Sequence, residues 1–341
     1  MQQIVTANVY CPFISQVNPL MEEARERAYS WLDQMELVRK GTNLEQTYRH
    51  TYLADYMGYI YPTAGFDELV WLTKLLVLTS FLDIIADSLD EKPLAYGRTM
   101  LSQCASLLTV DRIDEPDSQR LLSPALALSL HDIWREIFPH IPLHWRQRFS
   151  QNLGNYIMAH ADETDNRVKG VIPDLESYHV LRSNTGMPRC LVDLVEYAEH
   201  FFLPPSVLLS PEMQMLCEAA GNHVIWVNDV FSRNKESLAN DPHNLITVLQ
   251  HDEQCSVPEA VEKACQMISS AARTVLEMGE RLPTLFPDYA NNLQRYVADL
   301  KSFDAGNCSW HCISPRYEVA LPAETDETTT LYLVKPIVVT G

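Results

Sequence analysis

The chain has 341 residues, 46% of them hydrophobic, enough to bury a large core. Lys plus Arg number 26 against 45 Asp plus Glu, a formal net charge of −19, and no basic stretch stands out, which argues against a nucleic-acid binder. An acidic protein that takes an anionic ligand must neutralise it locally, with metal ions or a few placed cations.

Helical periodicity dominates the chain. Helices are predicted over about Pro19 to Val38, Leu44 to Met57, Asp67 to Leu89, Pro93 to Leu108 and Pro116 to Ile137. Further helices are predicted over Leu143 to Thr164, Asp174 to His200, Pro211 to Asn234, Val257 to Leu282 and Tyr289 to Phe303. Breaks such as Tyr61-Pro62, Phe138-Pro139, Ile172-Pro173, Leu203-Pro204-Pro205 and Asp241-Pro242 separate them. Alternating strand patterns are scarce. Residues 1–317 read as one α-helical domain with no linker. Residues 318–341 form a tail with a Thr-rich stretch and a β-branched run, Leu331 to Thr340, that reads either as disordered or as a strand folding over the body. Met1 to Pro19 lacks a basic-then-apolar leader pattern, and Leu75 to Ile85 is too short to span a membrane and reads as a buried core helix. Eight scattered cysteines without a C-x-x-C pair point to reduced thiols in a cytoplasmic protein; Cys308 and Cys312 are the only close pair, with no histidine pair beside them.

Two polar clusters interrupt apolar helices. Asp83 and Asp87 are four apart at the end of a strongly apolar segment, so they share a helix face. Like charges one turn apart repel unless a cation sits between them, and Mg²⁺ prefers such hard oxygen donors; a solvated acidic helix end is the plainer alternative. Asn228, Ser232 and Glu236 fall at i, i+4 and i+8, offering an amide carbonyl, a hydroxyl and a carboxylate along one stripe. The plainer alternative there is a polar helix terminus with capping roles.

The pattern Asn228-Asp229-x-x-Ser232-x-x-x-Glu236 resembles the second metal motif of class I terpene synthases, and Asp83-x-x-x-Asp87 resembles a reduced form of their first, aspartate-rich motif. Glu163-x-x-x-Arg167-x-x-Gly170-x-x-Pro173-Asp174-Leu175-Glu176-x-Tyr178-x-x-x-Arg182-x-x-Thr185-Gly186 is similar to the stretch ending in that family's diphosphate-sensing arginine, and Arg182 lies 46 residues before Asn228. Gly306-Asn307-x-x-Trp310-x-x-x-Ser314-x-Arg316-Tyr317 resembles its C-terminal Arg-Tyr motif, and Tyr10-Cys11-Pro12-Phe13 with Asn18-Pro19 the start of microbial members. The acidic motif departs from the pattern: Asp83 is flanked by Leu82 and Ile84 instead of a second acid. Either Ile84 replaces the second acid, the register preferred here, or Leu82 replaces the first.

The resemblance implies an all-α bundle around a central apolar pocket. It implies an enzyme that ionises a linear isoprenyl diphosphate, farnesyl diphosphate first and geranylgeranyl diphosphate next, and cyclises the carbocation. It implies three Mg²⁺ ions, with Mn²⁺ as a substitute, held by Asp83, Asp87, Asn228, Ser232 and Glu236. Arg182, Lys235, Arg316 and Tyr317 are then the diphosphate ligands, since guanidinium groups suit planar anionic oxygens and stay charged. Arg182, Thr185 and Gly186 form the sensing segment, and glycine there, costing about 1 kcal/mol relative to alanine in a helix, makes a break plausible. Phe81 and Trp310, with Trp71 and Trp226 behind them, are candidates for the aromatic wall that shields and stabilises a cation. A homodimer is compatible with the family. The rivals are a chain-elongating prenyltransferase, which carries two aspartate-rich motifs, and a helical diphosphate-binding protein that has lost turnover.

Overall fold

A computed structural model describes residues 2–37, 41, 49, 52–87, 94–109, 116–318 and 331–340. Helices account for most of them: α1 (Met21–Gln34), α2 (Tyr56–Ile60), α3 (Phe66–Asp87), α4 (Leu94–Ala105), α5 (Pro124–Ile137), α6 (Leu143–Lys169), α7 (Leu175–Thr185), α8 (Pro188–Ala198), α9 (Pro205–Leu208), α10 (Pro211–Leu238), α11 (Leu245–Glu253), α12 (Val257–Leu285) and α13 (Ala290–Ile313). The expected all-α architecture holds for the body of the chain. Half of the helix predicted over 44–57 lies outside the described residues, and the described part includes a 3₁₀ turn over Leu53–Asp55 followed by α2. Among the described residues no helix is long and apolar enough to cross a membrane.

Several boundaries moved, each for a local reason. The helix predicted over 174–200 is split at Gly186 and Met187, the latter in the left-handed region at φ 59°. Pro124 at the first turn starts α5 later than predicted, because Pro fits the N-terminus of a helix better than its middle. The last long helix continues ten residues past Phe303, through polar residues and a glycine that read as a stop. They pack instead of ending it: Asn307 accepts from the Tyr56 hydroxyl at 2.9 Å and donates to the Val224 carbonyl at 3.3 Å. A Cβ on Gly306 would collide with the Tyr59 carbonyl, so glycine lets α13 lie against α2. Helix α11 was not predicted; Asn244 caps it by accepting from the Ile246 amide at 3.0 Å.

Stacked and tilted rings fill the core between α3, α5, α6 and α8: Trp145 lies 4.6 Å from Phe149, and Trp71 4.8 Å from Tyr197. Their indole N–H groups are satisfied by carbonyls, Trp71 by Ile133 at 2.8 Å and Trp145 by Asp193 at 3.0 Å.

Beside the helices lies a two-stranded parallel sheet of β1 (Gln2–Tyr10) and β2 (Leu331–Val339), in register from Gln2 opposite Leu331 to Tyr10 opposite Val339. The tail therefore takes the strand alternative over 331–339. The partner strand β1 was not predicted, although it alternates: Ala7 and Val9 are buried, while Thr6 and Asn8 are exposed. β1 packs on α12, and β2 on α10.

Candidate active site

A cleft of about 550 Å³ opens between α3, α6, α7, α10 and the end of α13. Helix α3 contributes Leu76, Thr79, Ser80, Asp83 and Ile84, spaced i, i+3, i+4, i+7 and i+8, one continuous helix face. Phe81 falls off that stripe. It packs against the core and is not among the lining residues, so its expected place in the cation wall is corrected. Trp71 and Trp226 likewise belong to the buried core. Trp310 does line the cleft; its indole N–H donates to the Tyr52 carbonyl at 2.9 Å and Tyr56 contacts its ring at 4.9 Å.

Asp83 keeps 43% of its side chain accessible within the cleft. The Tyr156 hydroxyl and His160 Nε2, both on α6, each stand 3.2 Å from its Oδ1. Burial pushes the Asp83 carboxyl above the usual range, opposed by the charges of His160 and Arg316. Glu163, one turn beyond His160, lies 3.5 Å from His160 Nδ1. Burial would raise its carboxyl, but hydrogen bonding and charge from His160, with His243 and the Thr185 hydroxyl, bring it down to about 2. The side chain of Asp87 lies outside the described residues.

On the other side, α10 presents Val224, Ile225, Asn228, Lys235 and Glu236 to the cleft. Arg182 of α7 donates from Nη2 to Asn228 Oδ1 at 2.8 Å and binds the fully buried Asp229 through Nε at 3.0 Å and Nη2 at 2.6 Å. Asp229 also accepts from the Tyr178 hydroxyl and from the Leu245 amide. Burial works against the Arg182 charge, but Asp229 outweighs it, and the guanidinium is held more firmly charged than usual.

The Asn228 amide is oriented from its other side. Its Nδ2 donates to His311 Nε2 at 3.1 Å and to the Tyr317 hydroxyl at 3.2 Å. His311 Nδ1 faces the Asn307 carbonyl at 2.7 Å and must therefore carry the proton, leaving Nε2 as acceptor. Burial holds this ring neutral, its pKa lowered to about 3. Tyr317 stacks on it at 5.0 Å with planes 15° apart. Thus Asn228 turns its carbonyl oxygen toward Arg182. Glu236 accepts from Asn244 Nδ2 at 2.7 Å, and the same amide holds the Asp229 carbonyl at 2.7 Å.

The cleft therefore gathers Asp83, Asn228, Lys235, Glu236, Arg182, Thr185, Gly186, Arg316 and Tyr317. Ser232 is not among its lining residues; its buried hydroxyl faces the Asp229 carbonyl at 3.4 Å. The donor set of carboxylates and an amide oxygen fits a hard divalent ion, and the basic groups beside it fit an oxyanion. Sequence reasoning missed Tyr156, His160, Asn244 and His311, which touch or orient these groups. Of these only His311 carried a signal, one turn after Asn307 on the helix that leads to Arg316. A larger groove of about 1020 Å³ lies elsewhere; Lys74 pairs with Glu136 there at 2.8 Å, and His200 Nε2 stands 2.8 Å from Glu68.

Relatives point the same way. The chain is 27% identical over 317 residues to a (+)-T-muurolol synthase, farnesyl diphosphate cyclizing, of Roseiflexus castenholzii, covering 93% of this chain and 95% of that one. It is 26% identical over 318 residues to a 7-epi-alpha-eudesmol synthase of Streptomyces viridochromogenes, also farnesyl diphosphate cyclizing, covering 91% of each. The solved structure of a hedycaryol synthase superposes with a TM-score of 0.76 at 25% identity, covering 91% of this chain and 99% of that one. Residues 74–274 match the family model described as terpene synthase family 2, C-terminal metal binding, a span that includes Asp83, Arg182 and the whole Asn228 to Glu236 stripe. With that match over more than half its length, the chain belongs to terpene synthase family 2.

Proposed function

We propose that this terpene synthase ionises farnesyl diphosphate and cyclises the resulting cation to a sesquiterpene hydrocarbon or alcohol. The observation that carries the reading is the meeting in one cleft of Asp83 from α3, Asn228 and Glu236 from α10, and the cations Arg182, Lys235 and Arg316. The two relatives named as farnesyl diphosphate cyclizing support the C15 substrate.

Asp83, Asn228 and Glu236 would hold Mg²⁺. Ser232 would join them by turning its hydroxyl away from the Asp229 carbonyl. When bound, the metal neutralises charge developing on the departing diphosphate. Arg182 and Arg316 donate hydrogen bonds to its remaining oxygens, with Lys235 adding a point charge and Tyr317 a hydroxyl. Leu53, Leu76, Leu191, Val224 and Ile225 line the cleft with apolar surface that keeps water from the cation, and Tyr56 and Trp310 offer aromatic rings to it.

The test is incubation of purified protein and Mg²⁺ with C10, C15 and C20 allylic diphosphates in turn, with volatile products identified by mass spectrometry. A cyclic C15 product that disappears when the metal is chelated is the expected result. Inertness toward the C15 diphosphate, or turnover only when isopentenyl diphosphate is added, overturns the proposal.

A further inference from the structure

Where β1 ends, Cys11 meets two helices outside the catalytic cleft. Ligand atoms of Cys11, of His223 on α10 and of Cys308 on α13 lie within 4.8 Å of one another, and all three residues are buried. Beside them Asp304, one turn before Cys308, is fully buried, and neither of its carboxyl oxygens has a hydrogen-bond partner among the described residues. None of the four lines the cleft.

The histidine's orientation is fixed. His223 Nε2 stands 3.1 Å from the Tyr10 carbonyl, which only accepts, so Nε2 carries the proton and Nδ1 presents a lone pair. That Nδ1 is fully buried, has no hydrogen-bond partner among the described residues, and faces Asp304 Oδ1 at 3.6 Å. The imidazole lone pair and the carboxyl group face each other across this gap. A shared proton does not bridge it, because 3.6 Å is too long for a hydrogen bond. Two ligands of one tetrahedral zinc ion stand about 3.4 Å apart for nitrogen and oxygen, close to the 3.6 Å between His223 Nδ1 and Asp304 Oδ1, and the two sulfurs and the imidazole lie within 4.8 Å of one another. A histidine that ligates a metal usually donates its other ring N–H to a backbone carbonyl or carboxylate, as His223 does to Tyr10.

We propose that Cys11, His223 and Cys308, with the Asp304 carboxylate beside His223 completing the set, bind a borderline-soft divalent transition ion, Zn²⁺ first, as a site distinct from the oxygen-lined catalytic metal site. Two sulfurs and an imidazole select zinc over magnesium, which wants oxygen donors and keeps its water. Bound there, the ion ties the end of β1 to α10 and α13, the helices that present Asn228 and Trp310 to the cleft.

The test uses full-length protein purified under reducing conditions and dialysed against buffer with Mg²⁺ and no zinc. Elemental analysis is expected to find about one zinc per chain. Protein produced in cobalt-supplemented, zinc-poor medium is expected to show thiolate-to-cobalt charge-transfer absorption, which oxygen-lined sites do not give. The band is lost in Cys308→Ser and His223→Gln and kept in Cys312→Ser, which changes an exposed thiol. Because substitutions at a buried site can prevent folding, the wild-type protein decides alone. Absence of both zinc and the cobalt band, or a Cys11–Cys308 disulfide in the protein as isolated, overturns the proposal.

Discussion

Arg182 and Asp229 are joined at 2.6 Å and 3.0 Å, and the same Arg182 nitrogen that makes the shorter contact also holds the carbonyl oxygen of Asn228 at 2.8 Å. The arginine proposed for the diphosphate is thereby fastened to the helix that carries the stripe of Asn228, Ser232 and Glu236. Asp229 is not a free member of that stripe: it anchors α7, α10 and the start of α11 together through Arg182, Tyr178 and the Leu245 amide.

Asp229→Ala leaves the Arg182 guanidinium buried without its partner, and breaking such a pair costs about 3–5 kcal/mol. Chemical denaturation is expected to show that loss together with lost turnover. Asp229→Asn keeps the shape and removes the charge. It is expected to retain more stability while turnover falls roughly 10- to 100-fold, the range seen when groups supporting a metal ligand are removed. Unchanged turnover in Asp229→Asn would show that Arg182 needs no anchoring.

Gly186 touches its neighbours as closely as a residue without a side chain can. A Cβ there would stand 2.5 Å from Ile225 Cγ2 and 3.1 Å from the Arg182 carbonyl. Gly186→Ala must therefore displace Ile225 or push α7 outward, with overpacking of about 1–3 kcal/mol. The double variant Gly186→Ala/Ile225→Ala removes the obstructing methyl, and its loss of stability is expected to be smaller than the sum of the two single losses. Additive losses in that cycle would mean the two residues do not press on each other.

Asn234, between Ser232 and Glu236 on α10, binds the tail as if it were another strand. Its Nδ2 donates to the Val334 carbonyl at 2.8 Å, and its Oδ1 accepts from the Val334 amide at 2.8 Å. Asn234→Ala deletes both bonds, a loss of about 1–3 kcal/mol at a typical net worth for each. Hydrogen exchange is expected to quicken at the Val334 amide and along β1, which pairs with β2. Exchange confined to Val334, with β1 still protected, would show the sheet holding without the clasp.

How much of this was legible follows the range of the signal. Helices, the Asn228 to Glu236 stripe and Arg182 were readable because each rests on residues a few positions apart. The split at Gly186 was readable as a glycine in a helix, but not the left-handed Met187 that completes it. The persistence of α13 past Phe303 was not readable, since the close approach of Gly306 to Tyr59 is known only once α2 lies beside it. β1 was missed because its partner lies at the far end of the chain, and a short alternating run is weak evidence alone. Phe81 was misplaced by reading nearness in sequence as nearness in space: two positions before Asp83 is about 200°, just over half a turn, around the helix. Cys308 was paired in sequence with Cys312, whereas Cys308 turns inward toward Cys11 and Cys312 is exposed.

Asp299 on α13 supplies a pH test away from the catalytic residues. It is half-buried, its Oδ2 has no hydrogen-bond partner among the described residues, and burial pushes its carboxyl up from 3.8 to about 7, with Glu199 adding and Arg295 opposing. The folded chain keeps this proton until about pH 7, while the unfolded chain releases it near 3.8. Between those values unfolding releases a proton, so the group lowers stability progressively as pH rises and has its full unfavourable effect above about 7. Asp299→Asn abolishes the titration. Its gain in Tm over the parent is expected to be small near about pH 4, to grow through neutrality and to level off by about pH 8. A gain of equal size at every pH would assign the effect to packing or to the amide's hydrogen bonds and remove the carboxyl's charge from the account.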